Sequence, residues 1–395
     1  MIPKVYTSAE HNINLDSIDP DALKVIDRLS SYGHQARLVG GGVRDLLLGK
    51  IPKDFDVATS ATPYEIRNIF RNSRIIGRRF KLVHVYFGSG KIIEVATFRA
   101  SDSFSEEENA TLRNDNIYGT EESDAFRRDI TINGLFFDAE NEVIVDYVEG
   151  LNDLRQGIIR VIGDPDKRFI EDPVRMIRVI RHAVRAGFVI ESNTWEAISR
   201  QRELLKLCAS MRLFDELRKD LTSGCFLGIV RLFCSGQLLS YLIPGIMEAD
   251  LVPDTALVSV LAKVDLYNQS GGEFPFIVFA AALIICRYSL FPDVVVNEYN
   301  GDIEAIESKL DTNKVWVPHG LPKRMQEDVK IILNLWCLIS SIVVNDNDDS
   351  SRSTSLSRTQ TRHLHHVALL HRLLPGHKYD VDLYRKIQEL KKSGR

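Results

Sequence analysis

Cysteine is scarce in this chain. There are five in 395 residues, at Cys208, Cys225, Cys234, Cys286 and Cys337, and none form a C-x-x-C pair. An odd, scattered set supports neither a disulfide framework nor a zinc site. It reads as reduced core thiols of an intracellular, cytoplasmic protein. Long apolar runs are also missing. The longest, Phe274–Cys286, has thirteen residues and is interrupted by Pro275. That is too short to span a bilayer and suits a buried helix, so no membrane association is expected. The first residues, "MIPKVYTSAEHNINLDS", contain no apolar signal core. Nor is there an excess of positive charge: 50 Lys and Arg stand against 54 Asp and Glu, a net charge of −4. A polyanionic partner would therefore have to be held by a local patch. No His-Asp dipeptide occurs, so a metal-dependent phosphohydrolase domain is not expected. No internal repeat is found.

What is present concentrates near the beginning. "LVGGGVRDLLLGKIPKDFDVATS" (Leu38–Ser60) packs three glycines, an Arg-Asp pair and two aspartates one residue apart into one segment. On a strand, Asp54 and Asp56 would project from the same face. Two carboxylates that close repel unless a cation lies between them, and Mg²⁺ accepts such a pair together with waters and substrate phosphates. Taken alone, an Asp-x-Asp is more often a solvated strand edge. Here Gly40, Gly41 and Gly42 follow a strand pattern and precede a short helix, where backbone N–H groups can cradle phosphate and Arg44 and Lys53 can add charge. Glu94 lies amid "IIEVAT" and is either a third carboxylate of the same site or a solvent-facing strand position.

Element signals surround this segment. Asp21–Tyr32 reads as a helix ended by Gly33, and "ATPYEIRNIF" as a helix capped by Thr62 with Pro63 and Glu65. "ARLVG", "FDVAT", "KLVHVYF", "IIEVATF" and "EVIVDYV" read as strands. Residues 101–123 are polar and acidic, a long loop. "EDPVRMIRVIRHAVRAG" reads as one helix, acidic at its start and closed by Gly187. Asp172 and Arg175, three apart, would share a face as an ion pair. His363, His365 and His366 read as a helix start rather than a weak metal site. Arg67, Arg71, Arg74, Arg78, Arg79 and Lys81 form a basic run suited to RNA phosphates or to a solvated face.

These motifs resemble, in order and spacing, those of the class II branch of the polymerase-beta-like nucleotidyltransferases, which holds bacterial poly(A) polymerases and CCA-adding tRNA nucleotidyltransferases. The Leu38–Thr59 segment resembles the first motif and "RRDITING" (Arg127–Gly134) the second. "DYVEGLNDL" (Asp146–Leu154), "EDPVRMIRVIR" (Glu171–Arg181) and, more weakly, "RLFDEL" (Arg212–Leu217) resemble the others. The resemblance covers about residues 35–220 and implies an α+β fold. Residues 19–150 would be a nucleotidyltransferase head with a small mixed β-sheet. Residues 151–220 would be a helical neck, and 221–395 a helical, RNA-binding body with a low-complexity linker at 345–362. Residues 1–18 are expected to be a flexible arm.

The resemblance also implies roles. Asp54 and Asp56 would hold two Mg²⁺ ions, with Glu94 a third catalytic carboxylate. Gly40, Gly41, Arg44 and Lys53 would meet the triphosphate of ATP, and Arg128 and Asp129 the ribose. Asp172 and Arg175, with Glu171 orienting the arginine and Arg178 one turn on, would read the base. Arg71, Arg74, Arg78, Arg79 and Lys81 would contact RNA. "IIGRRFKLVHVYF" and "RNDNIYGTEESDAFRRD" resemble stretches typical of bacterial poly(A) polymerases, so AMP transfer to RNA 3′ ends, of messenger or other transcripts, is the expected reaction. CCA addition to tRNA is the alternative, and a non-catalytic RNA-binding protein a distant one. The mildly basic C-terminus and Gly134 in "TINGL" depart from the poly(A) pattern.

Overall fold

The computed structural model describes residues 2–77, 81–100, 118–291, 295, 321–345, 356–374 and 380–393. Arg78, Arg79, most of the 101–123 loop and most of the 345–362 linker lie outside the described residues.

The chain divides into two compact units. The first comprises Met1–Arg168 and Ala186–Thr194, and the second Phe169–Arg185 and Trp195–Arg395. The first division falls later than the residue-150 boundary expected from sequence. In the first unit, among the described residues, one mixed sheet takes the order β1-β8-β7-β2-β3-β6-β5-β4. Its strands are β1 (Lys4–Tyr6), β2 (Ala36–Val39), β3 (Asp56–Thr59), β4 (Ser73–Ile76), β5 (Leu82–Tyr86), β6 (Ile92–Thr97), β7 (Leu135–Asp138) and β8 (Val143–Asp146). Only the β3–β6 pairing is parallel in this sheet.

Residues 1–18 do not form the loose arm expected of them. β1 pairs antiparallel with β8, Lys4 opposite Asp146. Lys4 Nζ donates to Glu149 (2.8 Å), and Arg155 lies over the Tyr6 ring. Backbone pairing and these local contacts hold a polar segment that hydrophobic patterning cannot flag. β7 also escapes a pattern search. All four residues of "LFFD" are buried, so the period-2 alternation that reveals a half-exposed strand is missing.

The helices begin and end where local chemistry dictates. α1 (Pro20–Ser31) starts at Asp19, whose side chain accepts from the Asp21 N–H, and its apolar stripe of Ala22, Val25, Ile26 and Leu29 is buried. α3 (Pro63–Ile69) carries the complete Thr62–Glu65 capping box. On β5 and β6, Val83, Val85, Ile93 and Val95 point into the core while Leu82, His84, Tyr86, Ile92, Glu94 and Ala96 take the other face. That second face is covered near Val39, Ala58 and Phe136 by Phe98 and Ala125.

The second unit is helical among the described residues. Its most apolar element, Phe276–Tyr288, follows Pro275 at the cap position and is buried from Val278 to Ile285. Trp336 is fully buried and donates to the Leu290 carbonyl (3.0 Å). Within this unit Arg181 is buried between two acids, bonded to Asp220 and, at 2.6 Å, to Glu216. His363 lies inside the helix Arg358–Leu373 rather than at its start, with His366 at 3.2 Å and Asp328 at 3.4 Å. All five cysteines are free. Among the described residues no helix is long and apolar enough to cross a membrane.

Candidate active site

Strand β2 delivers the chain into the glycine turn and β3 delivers the aspartates beside it. Gly40 has φ +70°, a conformation that costs an L side chain strain and glycine none. A methyl group built on Gly40 would lie 3.5 Å from Arg128 Nη1 and 3.9 Å from Asp56 Oδ2, and one on Gly42 would lie 3.3 Å from the Asp54 carbonyl oxygen. The glycines therefore let the start of α2 (Gly41–Leu47) press against the aspartate-bearing loop. Asp54 precedes β3 and is exposed, while Asp56 opens the strand and is partly buried. The two are thus not both strand residues, as the i, i+2 pattern suggests.

Glu94 is brought beside Asp56 by the parallel pairing of β3 and β6, which sets the two directly opposite. Burial, helped by the negative charges of Glu94 and Asp54, pushes the Asp56 carboxyl up to about 6, against the pull of Arg128. Such a carboxylate is short of positive charge. Glu94 itself is half exposed and takes His84 Nε2 at 3.2 Å. Among the described residues no three His, Cys, Asp or Glu side chains converge into a metal cluster. The fit is to an ion held by two aspartates and completed by substrate oxygens, the usual coordination of Mg²⁺.

Around the glycine turn lie Arg128 and Asp129 of the second motif, with one further residue. Arg128 donates to Asp124 through Nε (3.1 Å) and Nη2 (2.8 Å), and lies over the Phe136 ring. Arg44 is buried. It donates to Asp45 (2.9 and 2.8 Å) and, through Nη1, to Asn133 Oδ1 (2.8 Å). Asn133 also donates to Asp129 Oδ1 (3.5 Å), and its carbonyl accepts from Arg128 (3.4 Å). Asp129 accepts from the Ile130 N–H (3.0 Å). Asn133 thus ties Arg44, Arg128 and Asp129 together. It lies inside "RRDITING" but is uncharged, and no spacing in the sequence marks it. For Asp124 the available sequence signal is its i, i+4 spacing from Arg128. Lys53 is exposed in the loop before Asp54.

In the second unit, α7 (Arg175–Ala186) starts later than the single helix expected over "EDPVRMIRVIRHAVRAG". Asp172, Pro173 and Val174 form the break before it. Asp172 consequently does not pair with Arg175. Arg175 Nη1 donates to Glu171 (2.8 Å), and Asp172 accepts from Arg212 Nη2 (2.9 and 3.1 Å). Arg178 follows on α7, half-buried. The "RLFDEL" segment, in α9 (Ser210–Leu221), therefore serves the fourth motif through Arg212 as well as anchoring Arg181.

The basic run is dispersed. Arg67 donates to the Phe70 and Arg71 carbonyls, closing α3. Lys81 sits over the Tyr64 ring. Arg71 and Arg74 are exposed, and Arg74 lies opposite His84 on β4.

Residues 36–160 match the poly A polymerase head domain family, and residues 187–250 match the family described as "Probable RNA and SrmB- binding site of polymerase A". Poly(A) polymerase I of Escherichia coli O6:H1 is 48% identical over 245 residues, 60% of this chain and 52% of that protein. The CCA-adding enzyme of Lactobacillus helveticus is 38% identical over 200 residues, 50% and 49% of the two chains. The chain spans about half the length of these curated relatives. The Bacillus stearothermophilus CCA-adding enzyme in complex with CTP shares the fold, with a TM-score of 0.65 at 23% identity over 95% of this chain and 83% of that one.

Proposed function

We propose that this chain, whose residues 36–160 match the poly A polymerase head domain family, is a poly(A) polymerase of the class II branch of the polymerase-beta-like nucleotidyltransferases, adding AMP from ATP to RNA 3′-hydroxyls without a template and releasing pyrophosphate. The observation that carries the chemistry is Asp56 beside the Gly40 turn, whose carboxyl is raised to about 6 by burial and, after it, by the charges of Glu94 and Asp54. The greater identity to a poly(A) polymerase than to a CCA-adding enzyme supports the choice of product.

Asp54 and Asp56 would hold Mg²⁺. The ion supplies activation of the attacking hydroxyl and neutralisation of the triphosphate. The protein's own part is to position and to balance charge. Gly40 and Gly41 allow close approach of backbone N–H groups to phosphate, and Arg128, beside both Gly40 and Asp56, faces the nucleotide there. Arg44 reaches phosphate or, through Asn133, holds Arg128 and Asp129 in place for the ribose. Lys53 adds charge at the mouth of the loop. Asp172 and Arg175 read the adenine edge, with Glu171 holding the arginine, Arg212 holding the carboxylate, and Arg178 alongside. Arg71, Arg74, Arg78, Arg79 and Lys81 contact RNA.

The test uses purified chain, Mg²⁺ and each nucleoside triphosphate, with an unstructured oligoribonucleotide and with a tRNA lacking its CCA end. Tails from ATP alone on the oligonucleotide are expected. Addition of C, C and A confined to the tRNA would instead make it a CCA-adding enzyme. Incorporation of no nucleotide, with RNA still bound, would reduce it to a binding protein.

A second expectation concerns Gly42. A methyl there meets backbone at Asp54 that has no flexible end to give way. Gly42→Ala is expected to shift that aspartate slightly and lower kcat by about tenfold, since small misplacements of reacting groups are costly. The melting temperature should change little.

A further inference from the structure

The pairing registers define a row of side chains that crosses four strands from Asp56. Asp56 lies opposite Glu94, Glu94 opposite His84, and His84 opposite Arg74. Residues directly opposite in a sheet project to the same face. With strands about 4.8 Å apart, the row runs roughly 14 Å, the length of a few stacked nucleotides. On the other side of Asp56 the same row continues to Val39 and Phe136. There it enters the packed cluster with Phe98 and Ala125, and the Gly40 turn follows Val39. The Glu94 side is open by contrast. The Glu94 side chain is 48% exposed, Ile92 is 42% exposed, Arg74 is exposed and Tyr86 half-buried.

In-line displacement requires the attacking oxygen and the leaving pyrophosphate on opposite sides of the α-phosphorus. If the triphosphate occupies the Gly40–Arg128 side of Asp56, the RNA hydroxyl must arrive from the β6 side. We propose that the 3′-terminal nucleotides of the RNA lie across β6, β5 and β4, on the row Glu94–His84–Arg74, with Tyr86 beside it. This rests on the nucleotidyltransferase reading and adds to it the strand's path and a role for two residues, His84 and Tyr86, to which the motifs assign none.

Each residue on the row suits one part of a single-stranded RNA end. The Arg74 guanidinium takes a backbone phosphate. Tyr86, whose ring meets that of His84 edge-on at 6.3 Å, offers a face on which a base stacks whatever its identity. The Glu94 carboxylate accepts from the terminal ribose hydroxyls. His84 is a positioning residue: its Nε2, 3.2 Å from Glu94 Oε1, keeps that carboxylate on the row next to Asp56. Such a track recognises RNA with little sequence preference, as addition to varied 3′ ends requires.

The test is photocrosslinking of the full chain, in EDTA, to an oligoribonucleotide ending in 4-thiouridine. Crosslinks are expected in peptides carrying Leu82–Tyr86 or Ile92–Thr97. Crosslinks confined to residues 195–393 or to the Gly40–Leu47 segment would overturn the proposal. In parallel, Arg74→Ala and Tyr86→Ala are expected to raise the KM for RNA about tenfold with the KM for ATP unchanged. Arg74→Ala should also reduce the salt slope of RNA binding by about one. An equal rise in both KM values would overturn the assignment. His84→Ala should lower kcat, and His84→Gln, which keeps a donor towards Glu94, should restore most of it. If glutamine is as defective as alanine, the positioning role falls. A wild-type chain that crosslinks at these strands but adds no nucleotide overturns the proposed reaction and supports the track.

Discussion

Asp56→Asn is expected to reduce AMP incorporation by about a thousandfold or more and at the same time to make the metal-free protein harder to unfold. The two effects have one cause. Burial and the charges of Glu94 and Asp54 raise the Asp56 carboxyl to about 6 from its ordinary 3.8. Between these values the folded chain holds a proton that the unfolded chain has lost. Stability therefore falls as pH rises from about 4 to about 6 and stays reduced above that. A shift of about two units corresponds to at most ~3 kcal/mol. Asparagine removes the penalty, so the variant should exceed the wild type by up to that amount at pH 7 and show no advantage below pH 4. Urea unfolding of both proteins at pH 4 and pH 7, without metal, measures this. A variant less stable than wild type at pH 7 would mean that the carboxylate is well solvated. Mg²⁺ should narrow the difference by stabilising the wild type alone.

Arg181→Ala carries the other large effect. Its guanidinium is buried and bonded to Asp220, which is fully buried, and to Glu216. Removing it leaves two acids of like charge without their shared cation, and losses of about 3–5 kcal/mol follow from breaking such buried pairs. Trp195 and Trp336 lie in the same unit, so the fluorescence transition in urea reports it. Adding Asp220→Asn to Arg181→Ala should recover part of the loss. A double variant no more stable than the single would show that lost packing of the arginine stem, and not stranded charge, is the cause.

How far the sequence leads depends on whether a feature is local. Asp56, the Thr62–Pro63–Glu65 helix start and the Gly187 stop are set by residues within a turn of each other, and each was legible. The outward Glu94 was legible too, because one charge interrupts an apolar alternation. Its neighbours were not. That Asp56 meets Glu94, and Glu94 meets His84, depends on strand order and register, and these are fixed only when the sheet closes. Arg212 reaches Asp172 across 40 positions, and Asn133 reaches Arg44 across 89. Neither separation carries a periodic signal. The basic run shows how adjacency in sequence need not give one face. Lysine and arginine adjacent in sequence suggest one patch, yet a helix end takes Arg67 and a tyrosine ring lies under Lys81, and among the described residues of the run Arg74 is the one on the row of the carboxylates.

The position of β1 in the sheet bears on how the chain is made. Of the strands described in this sheet β1 is made first and lies at the edge, and its partner β8 ends at residue 146. At roughly 5–20 residues per second, about 7–30 s separate the synthesis of the two. During that interval Lys4–Tyr6 has nothing to pair with, while β2 and β3 can already meet across their short connection. The head should thus assemble from its middle outwards. β1, made before its partner, should be the last of these strands to lock, acting as a clasp that closes over β8 once the rest is in place.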